Sequence, residues 1–274
     1  MVHWIAQRPP LIDQSGRNGQ AVCMSSILDS PFFIFIVSLI AQWLAAYVGD
    51  FLRRRGRAVR KDEREDLDNV QIGVLTLLAI IIGFSFSMAV TRYDQRIKYE
   101  EAEANAVGTE YVRADLLPAE SAARVRELLR IYLDQRISFY HDQRQVGDAD
   151  TARLQAELWS AILPAAKAQP TEITALAVSG MNDVLNSQAY TQAAWWDRIP
   201  IEAWGLMGLI AISCNLLIGY NEQRTRVVLL FVLPVIVSIS FLLIADIDNP
   251  QGGIVRVSPQ NLISLSQSMK VQER

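Results

Sequence analysis

Four stretches of about twenty residues, 31–52, 70–90, 201–220 and 227–245, are apolar and almost uncharged, and a helix rising ~1.5 Å per residue needs that length to cross a ~30 Å hydrocarbon layer. One such block fits the buried helix of a large soluble protein. Four in 274 residues do not, because nearly all the charge then lies between them. The block PFFIFIVSLIAQWLAAYVGDFL begins at Pro31, a favoured first helical residue, and stops at Arg53. VQIGVLTLLAIIIGFSFSMAV carries no charge, IEAWGLMGLIAISCNLLIGY opens on Glu202 and holds Asn215 late in the span, and VVLLFVLPVIVSISFLLIA contains Pro234. That proline removes one backbone hydrogen bond and predicts a kink.

Residues 91–199 are polar, rich in Ala, Glu, Arg and Leu, and nearly free of glycine. Too long for a structureless loop, they predict a helical domain. The second span is expected to continue as one helix through Leu117, followed by helices over 119–143, 150–163 and 171–194, with Pro118 and Pro164 at the breaks. TEIT after Pro170 reads as a capping box with Thr174 in the place of the usual Glu or Gln. The fold class is therefore an all-α membrane protein, with four transmembrane helices and a helical domain inserted between the second and third. The expected divisions are an N-terminal segment 1–30, a first hairpin 31–91, the helical domain 92–199, a second hairpin 200–246 and a tail 247–274. Pro9, Pro10, Gly16 and Gly19 make the first segment read as disordered, or as a wrongly assigned extension before a start at Met24.

Orientation follows from Lys and Arg near the spans. The 53–69 link holds seven (Arg53, Arg54, Arg55, Arg57, Arg60, Lys61 and Arg64), and the short turn after Asn221 brings Arg224 and Arg226. Both links share one face, which the count places in the cytoplasm, leaving the helical insert and both termini outside. Trp43, Trp195, Trp196 and Trp204 stand where interfacial anchors are expected.

A net charge of −3 without a basic patch excludes nucleic acid as a natural partner. Two cysteines, Cys23 and Cys214, build neither a disulfide framework nor a zinc site. HExxH, a phosphate-binding glycine loop and GxSxG are missing, and His3 and His141 have no nucleophile beside them. The chain does not read as an enzyme, and no cofactor is expected.

On the second span Thr76, Ile80, Gly83, Ser87, Thr91 and Asp94 recur every three or four residues and share a stripe, beside the apolar stripe of Leu77, Ile81, Phe84 and Met88. Small and hydroxyl residues there let helices pack closely in lipid; the same spacing also suits a pore wall, with Phe84 or Ile80 as a hydrophobic constriction. Just past the boundary Arg92 and Arg96 can snorkel, pair with nearby acids or draw anions to a pore mouth. Ala102, Asn105, Ala106, Thr109, Val112 and Leu116 form a small-residue face, and Glu103 or Arg113, if buried, needs an ion-pair partner inside the domain. In DIDNPQGG, Asp246 and Asp248 are weak metal-ligand candidates, because no Glu completes an EF-hand. A turn with Gly252 and Gly253 supplying backbone freedom accounts for the same residues.

The stretches LLAIIIGFSFSMAVTRYDQR, EAEANAVGTEYVRADLLP, RELLRIYLDQRISFY and DIDNPQGGIVRVSP resemble those of the bacterial bestrophin-like family of membrane proteins, over roughly residues 28–260. That resemblance implies the bacterial inner membrane. The wider comparison is with bestrophins, pentameric anion channels with four spans and a helical mass between the second and third. It implies a homo-oligomer in the bilayer passing chloride or other small anions, with Ile80, Phe84 and Phe86 at the pore neck. The chain departs from that pattern in lacking the acidic run of the animal calcium clasp, and in a positive-inside count that puts its insert outside. The rival expectation is a non-conducting scaffold or sensor whose helical domain binds a partner.

Overall fold

The computed structural model describes residues 30–55, 61–141, 148–221, 227–250 and 253–271. The leader with Cys23 and Met24, the basic residues Arg57, Arg60, Arg224 and Arg226, and Gly252 lie outside the described residues. The helices are α1 (Pro31–Arg55), α2 (Lys61–Arg113), α3 (Ala119–His141), α4 (Asp148–Ala168), α5 (Glu172–Trp196), α6 (Ile201–Asn221), α7 (Val227–Asp248) and α8 (Gln260–Val271). No strand occurs among the described residues. Four helical stretches there are long and apolar enough to cross a membrane.

Helix α2 dominates the molecule. Its 53 residues reach about 80 Å, against ~30 Å of hydrocarbon, so it projects beyond the bilayer. It starts nine residues before the apolar block and ends in a 3₁₀ turn, Ala114–Leu116, ahead of Pro118. Because proline disfavours a helical residue before it, the chain there turns into α3. At Pro164 the expected break does not occur: α4 runs on to Ala168. Ile162 and Ala165, both buried, hold the last turns of α4 in the domain core on either side of the proline, so losing one backbone bond does not end the helix. Helix α7 likewise runs through Pro234. The Thr171 cap forms as expected: its hydroxyl accepts from Thr174 N at 3.2 Å, and the two threonine hydroxyls lie 2.9 Å apart.

The packing forms two cores. In the membrane α1 lies against α6 and α7, and α2 packs on α6 and α7, around Leu78, Ala89, Met207, Ala211, Cys214, Val237, Phe241 and Ile244. Outside it the far half of α2 packs with α3, α5 and α8, and α4 closes against α3 and α5, around Val107, Leu129, Tyr132, Leu158, Ile162, Met181, Val184 and Leu262. Trp195 belongs to this second core. It is buried edge-to-face against Phe139 and Tyr140 rather than lying at the lipid surface. Trp196 is exposed, Trp43 meets Phe231 edge-on and Trp204 meets Phe241. Asn221 at the end of α6 donates to Asp68 and Gln71 near the start of α2, which puts the α1–α2 and α6–α7 links on one face.

Two backbones approach closely where α1 crosses α6. A Cβ on Gly219 would strike the carbonyl of Ala46, and one on Gly49 would strike that of Leu216. Gly205, on the same α6, faces open space. Gly219→Ala is therefore expected to lower the thermal midpoint of the purified protein by the equivalent of about 1–3 kcal/mol, as overpacking does, while Gly205→Ala leaves it in place. Melting both variants in the same detergent checks this.

Candidate functional site

The outward face of α2 is the first candidate. Thr76, Ile80, Gly83, Phe84, Ser87 and Thr91 are all exposed, Phe84 at 70%. The hydroxyls of Thr76 and Thr91 fold back onto the carbonyls of Ile72 and Ser87, so these two spend their polarity within their own helix. Further along the same helix Ala102, Asn105, Thr109 and Val112 are exposed as well, as is Leu116 in the 3₁₀ turn that follows. Phe86 is placed differently. Two residues beyond Phe84, and so about 200° round the helix, it is 42% exposed and lines an apolar groove of ≈ 440 Å³ together with Gly83 and with Leu233, Val237 and Ile244 of α7.

The boundary arginines are not free cations. Arg92 lies against Asp197, Nε to Oδ2 at 3.2 Å, with its side chain mostly covered. Arg96, expected at a mouth, is 1% exposed. Its guanidinium donates to Ala194 O, Asp197 O, Ile247 O and Asp248 O at 3.1–3.2 Å. These carbonyls belong to the ends of α5 and α7, where the last turn of a helix has none of its own N–H groups to offer. A planar fork of donors fits several at once, and a cation suits the negative end of two helix dipoles.

Asp246 and Asp248 serve the same joint as acceptors of backbone N–H groups. Asp246 accepts from the backbone N–H groups of Ile254 at 2.6 Å and Val255 at 3.0 Å, and Asp248 accepts from Ile199 N. Among the described residues no group of three His, Cys, Asp or Glu is placed to hold a metal ion. Gly253 is required for closeness and not for an unusual φ: none of the described glycines has a positive φ, and a Cβ there would strike Asp246 O. The DIDNP stretch thus ties the tail back to the end of α7.

Glu103 does find its ion partner inside the domain, and it is Arg136 of α3. Arg136 Nε and Nη2 donate to its two carboxylate oxygens, the second at 3.2 Å, and Thr191 of α5 adds a third donor at 3.0 Å. Both charges are buried, and Arg136 also stacks 4.5 Å from the Phe139 ring. Burial penalises the Arg136 charge, but Glu103 more than offsets this and holds the guanidinium above its ordinary pKa. Burial, with Glu103 beside them, pushes the Tyr132 and Tyr140 hydroxyls up. Arg113 lies instead near Glu110 and Gly180.

Two buried polar groups escaped the sequence reading. Gln42 of α1 donates to Ser238 of α7 at 3.1 Å and accepts from Asn215 of α6 at 3.0 Å, a network inside the membrane bundle. The signal was the small-residue spacing Ala45–Gly49 and Ala211–Asn215–Gly219, which marks a close helix seam in lipid. Glu100 of α2 accepts from the backbone N–H groups of Asn261 and Leu262, and from Asn261 Nδ2, capping α8 from outside. Its signal was absent, because the cap comes from a residue more than 150 positions away.

A family model described as the bestrophin-like domain matches residues 33–262. The fold is that of crystal structures of a bacterial bestrophin homologue from Klebsiella pneumoniae. One single-substitution form gives a TM-score of 0.60 at 13% identity over 89% of this chain and 98% of that one. A second gives 0.58 at 14% identity over 85% and 97%, and a third structure 0.56 at 14% over 86% and 98%. No curated protein matches the sequence.

Breaking the Glu103–Arg136 pair from one side strands a buried charge, so Arg136→Met is expected to cost about 3–5 kcal/mol. Removing both charges in Glu103→Leu with Arg136→Met restores much of that loss, as a double-mutant cycle of thermal midpoints would show.

Proposed function

The chain belongs to the bestrophin-like family, and from that premise we propose that it is an oligomeric, passive anion channel of the bacterial inner membrane, with α2 as the pore wall. The observation that supports this most is the uncovered face of α2. Ile80 is 49% exposed and Phe84 70%, while the chain's own helices pack against other sides of α2. Copies of the chain arranged round an axis, each turning that stripe inward, would enclose a passage whose narrowest rings are Ile80 and Phe84, with Thr76, Gly83, Ser87 and Thr91 between and beyond them. Such apolar rings gate by admitting or excluding water. Phe86 acts in this reading as packing between α2 and α7. The preference for chloride or other small anions follows from the family resemblance and does not rest on Arg92 and Arg96, whose charges are engaged.

A partner-binding scaffold or sensor is the second reading, favoured by Ile173, Leu176 and Tyr190, which stand exposed on α5 in the helical domain. Chloride efflux separates the two. Liposomes carrying the purified full chain are expected to release chloride, and Phe84→Ala to change the rate by widening the constriction. Absence of flux over a range of pH and calcium leaves the scaffold reading.

Orientation is a separate proposal. The seven basic residues of the 53–69 link favour the cytoplasm for that face, which leaves the helical domain and the tail outside. The bestrophin resemblance favours the reverse. Because α8 packs on the extramembrane half of α2, a reporter fused after Arg274 reads the side of the whole domain. An extracytoplasmic signal is expected from the charge count, and a cytoplasmic one reverses the orientation.

A further inference from the structure

Glu110 is wholly buried, at 0% exposure, and neither of its carboxylate oxygens has a hydrogen-bond partner. Glu100, Glu103, Asp246 and Asp248 are also buried, and each is met by N–H or O–H donors. An ionised carboxylate without donors or water is strongly disfavoured, so this one is built to keep its proton. Its surroundings leave it somewhere to go. Glu110 lies on α2 against Gly180 of α5, and a Cβ at Gly180 would fall on its Oε2 and stand 2.7 Å from Nη1 of Arg113. Glycine therefore clears a space that the carboxylate and the guanidinium share, yet no hydrogen bond joins them. Arg113 is one turn further along α2, the i, i+3 position at which opposite charges pair along a helix.

We propose that Glu110 is a proton-binding site that sets how tightly α2 holds α5. Neutral, it lies flat against Gly180 with α5 closed over it. Ionised, it turns to Arg113 across the space left by the glycine, admits water and loosens the α2–α5 contact. Burial pushes its pKa up to about 8; Arg113 on its own helix opposes the shift, and Asp183 on the facing α5 adds to it. The direction of the linkage follows. An exposed Glu loses its proton near 4.5, whereas the closed site keeps it to about 8, so the closed contact is fully stable at low pH, weakens as pH rises, and has lost this contribution above 8.

This matters because the exposed 76–91 stripe and Glu110 lie on one unbroken helix, so a change in how α5 holds its far end bears on the helix that carries the stripe. That consequence rests on the channel reading, but the proton site does not.

Hydrogen exchange of α5 amides near Gly180, corrected for the intrinsic pH dependence and measured on the full chain in nanodiscs, tests it. Protection is expected to fall by up to about tenfold per pH unit between 5 and 8 and to level off above. In Glu110→Gln, an isostere of the neutral acid, it should be flat over that window. An equal fall in that variant overturns the proposal. Asp183→Asn keeps the test open if Glu110→Gln does not fold: removing the facing charge must move the levelling point to lower pH, and an unmoved point overturns the proposal. Chloride flux on the same samples divides the two readings. A pH-dependent flux lost in Glu110→Gln supports both, and the exchange pattern without flux keeps the proton site and removes the channel.

Discussion

The carbonyl ends of two helices, closed by one arginine, hold the structure together at the membrane boundary. Helices α5 and α7 both finish there, each with carbonyls that have no N–H in their own helix, and Arg96 of α2 takes two from each. Several kinds of donor could satisfy them singly; a guanidinium satisfies them together and ties three helices at one point. The requirement falls on α2, because only a helix continuing past the boundary can carry such a side chain between the two ends. The second span therefore does not turn at the lipid surface.

Around that point the polar chain is used to bind segments that are remote in sequence. Asp248 receives the N–H of Ile199 and so fixes where α6 starts; Asp246 receives those of Ile254 and Val255 and turns the tail back. Glu100 then caps α8 and docks it on α2. Charges that would suit an ion site in isolation are, in place, acceptors for backbone groups that would otherwise be buried without partners. Deeper in the domain, Glu103, Arg136 and Thr191 join α2, α3 and α5, so α2 carries polar contacts both at the membrane boundary and inside the helical mass.

Much of this was legible in the residues. The continuity of α2 could be read because no proline lies between Gly83 and Pro118, and the exposed stripe because 3.6-residue periodicity assigns Thr76, Ile80 and Thr91 to one side. Pro164 misled, because a proline near a helix end costs one bond, and burial of Ile162 and Ala165 outweighs it. For Arg92 and Arg96 the sequence left snorkelling, ion pairing and anion attraction open, because adjacency to a membrane boundary says that a charge is near the surface, but not whether a carbonyl or a carboxylate from a hundred residues away waits for it.

The sequence by itself determined the solvent of each segment, since the length and charge of an apolar run decide whether a helix crosses a bilayer, and it determined which residues share a face, since helical period is local. Only the tertiary structure decided partners. That Glu103 meets Arg136, that Arg96 meets four carbonyls, and that Glu110 lies against Gly180 with no hydrogen-bond donor depends on which helices are brought side by side. The energy of a buried charge is set by the donors around it, and these come from parts of the chain that local pattern does not connect.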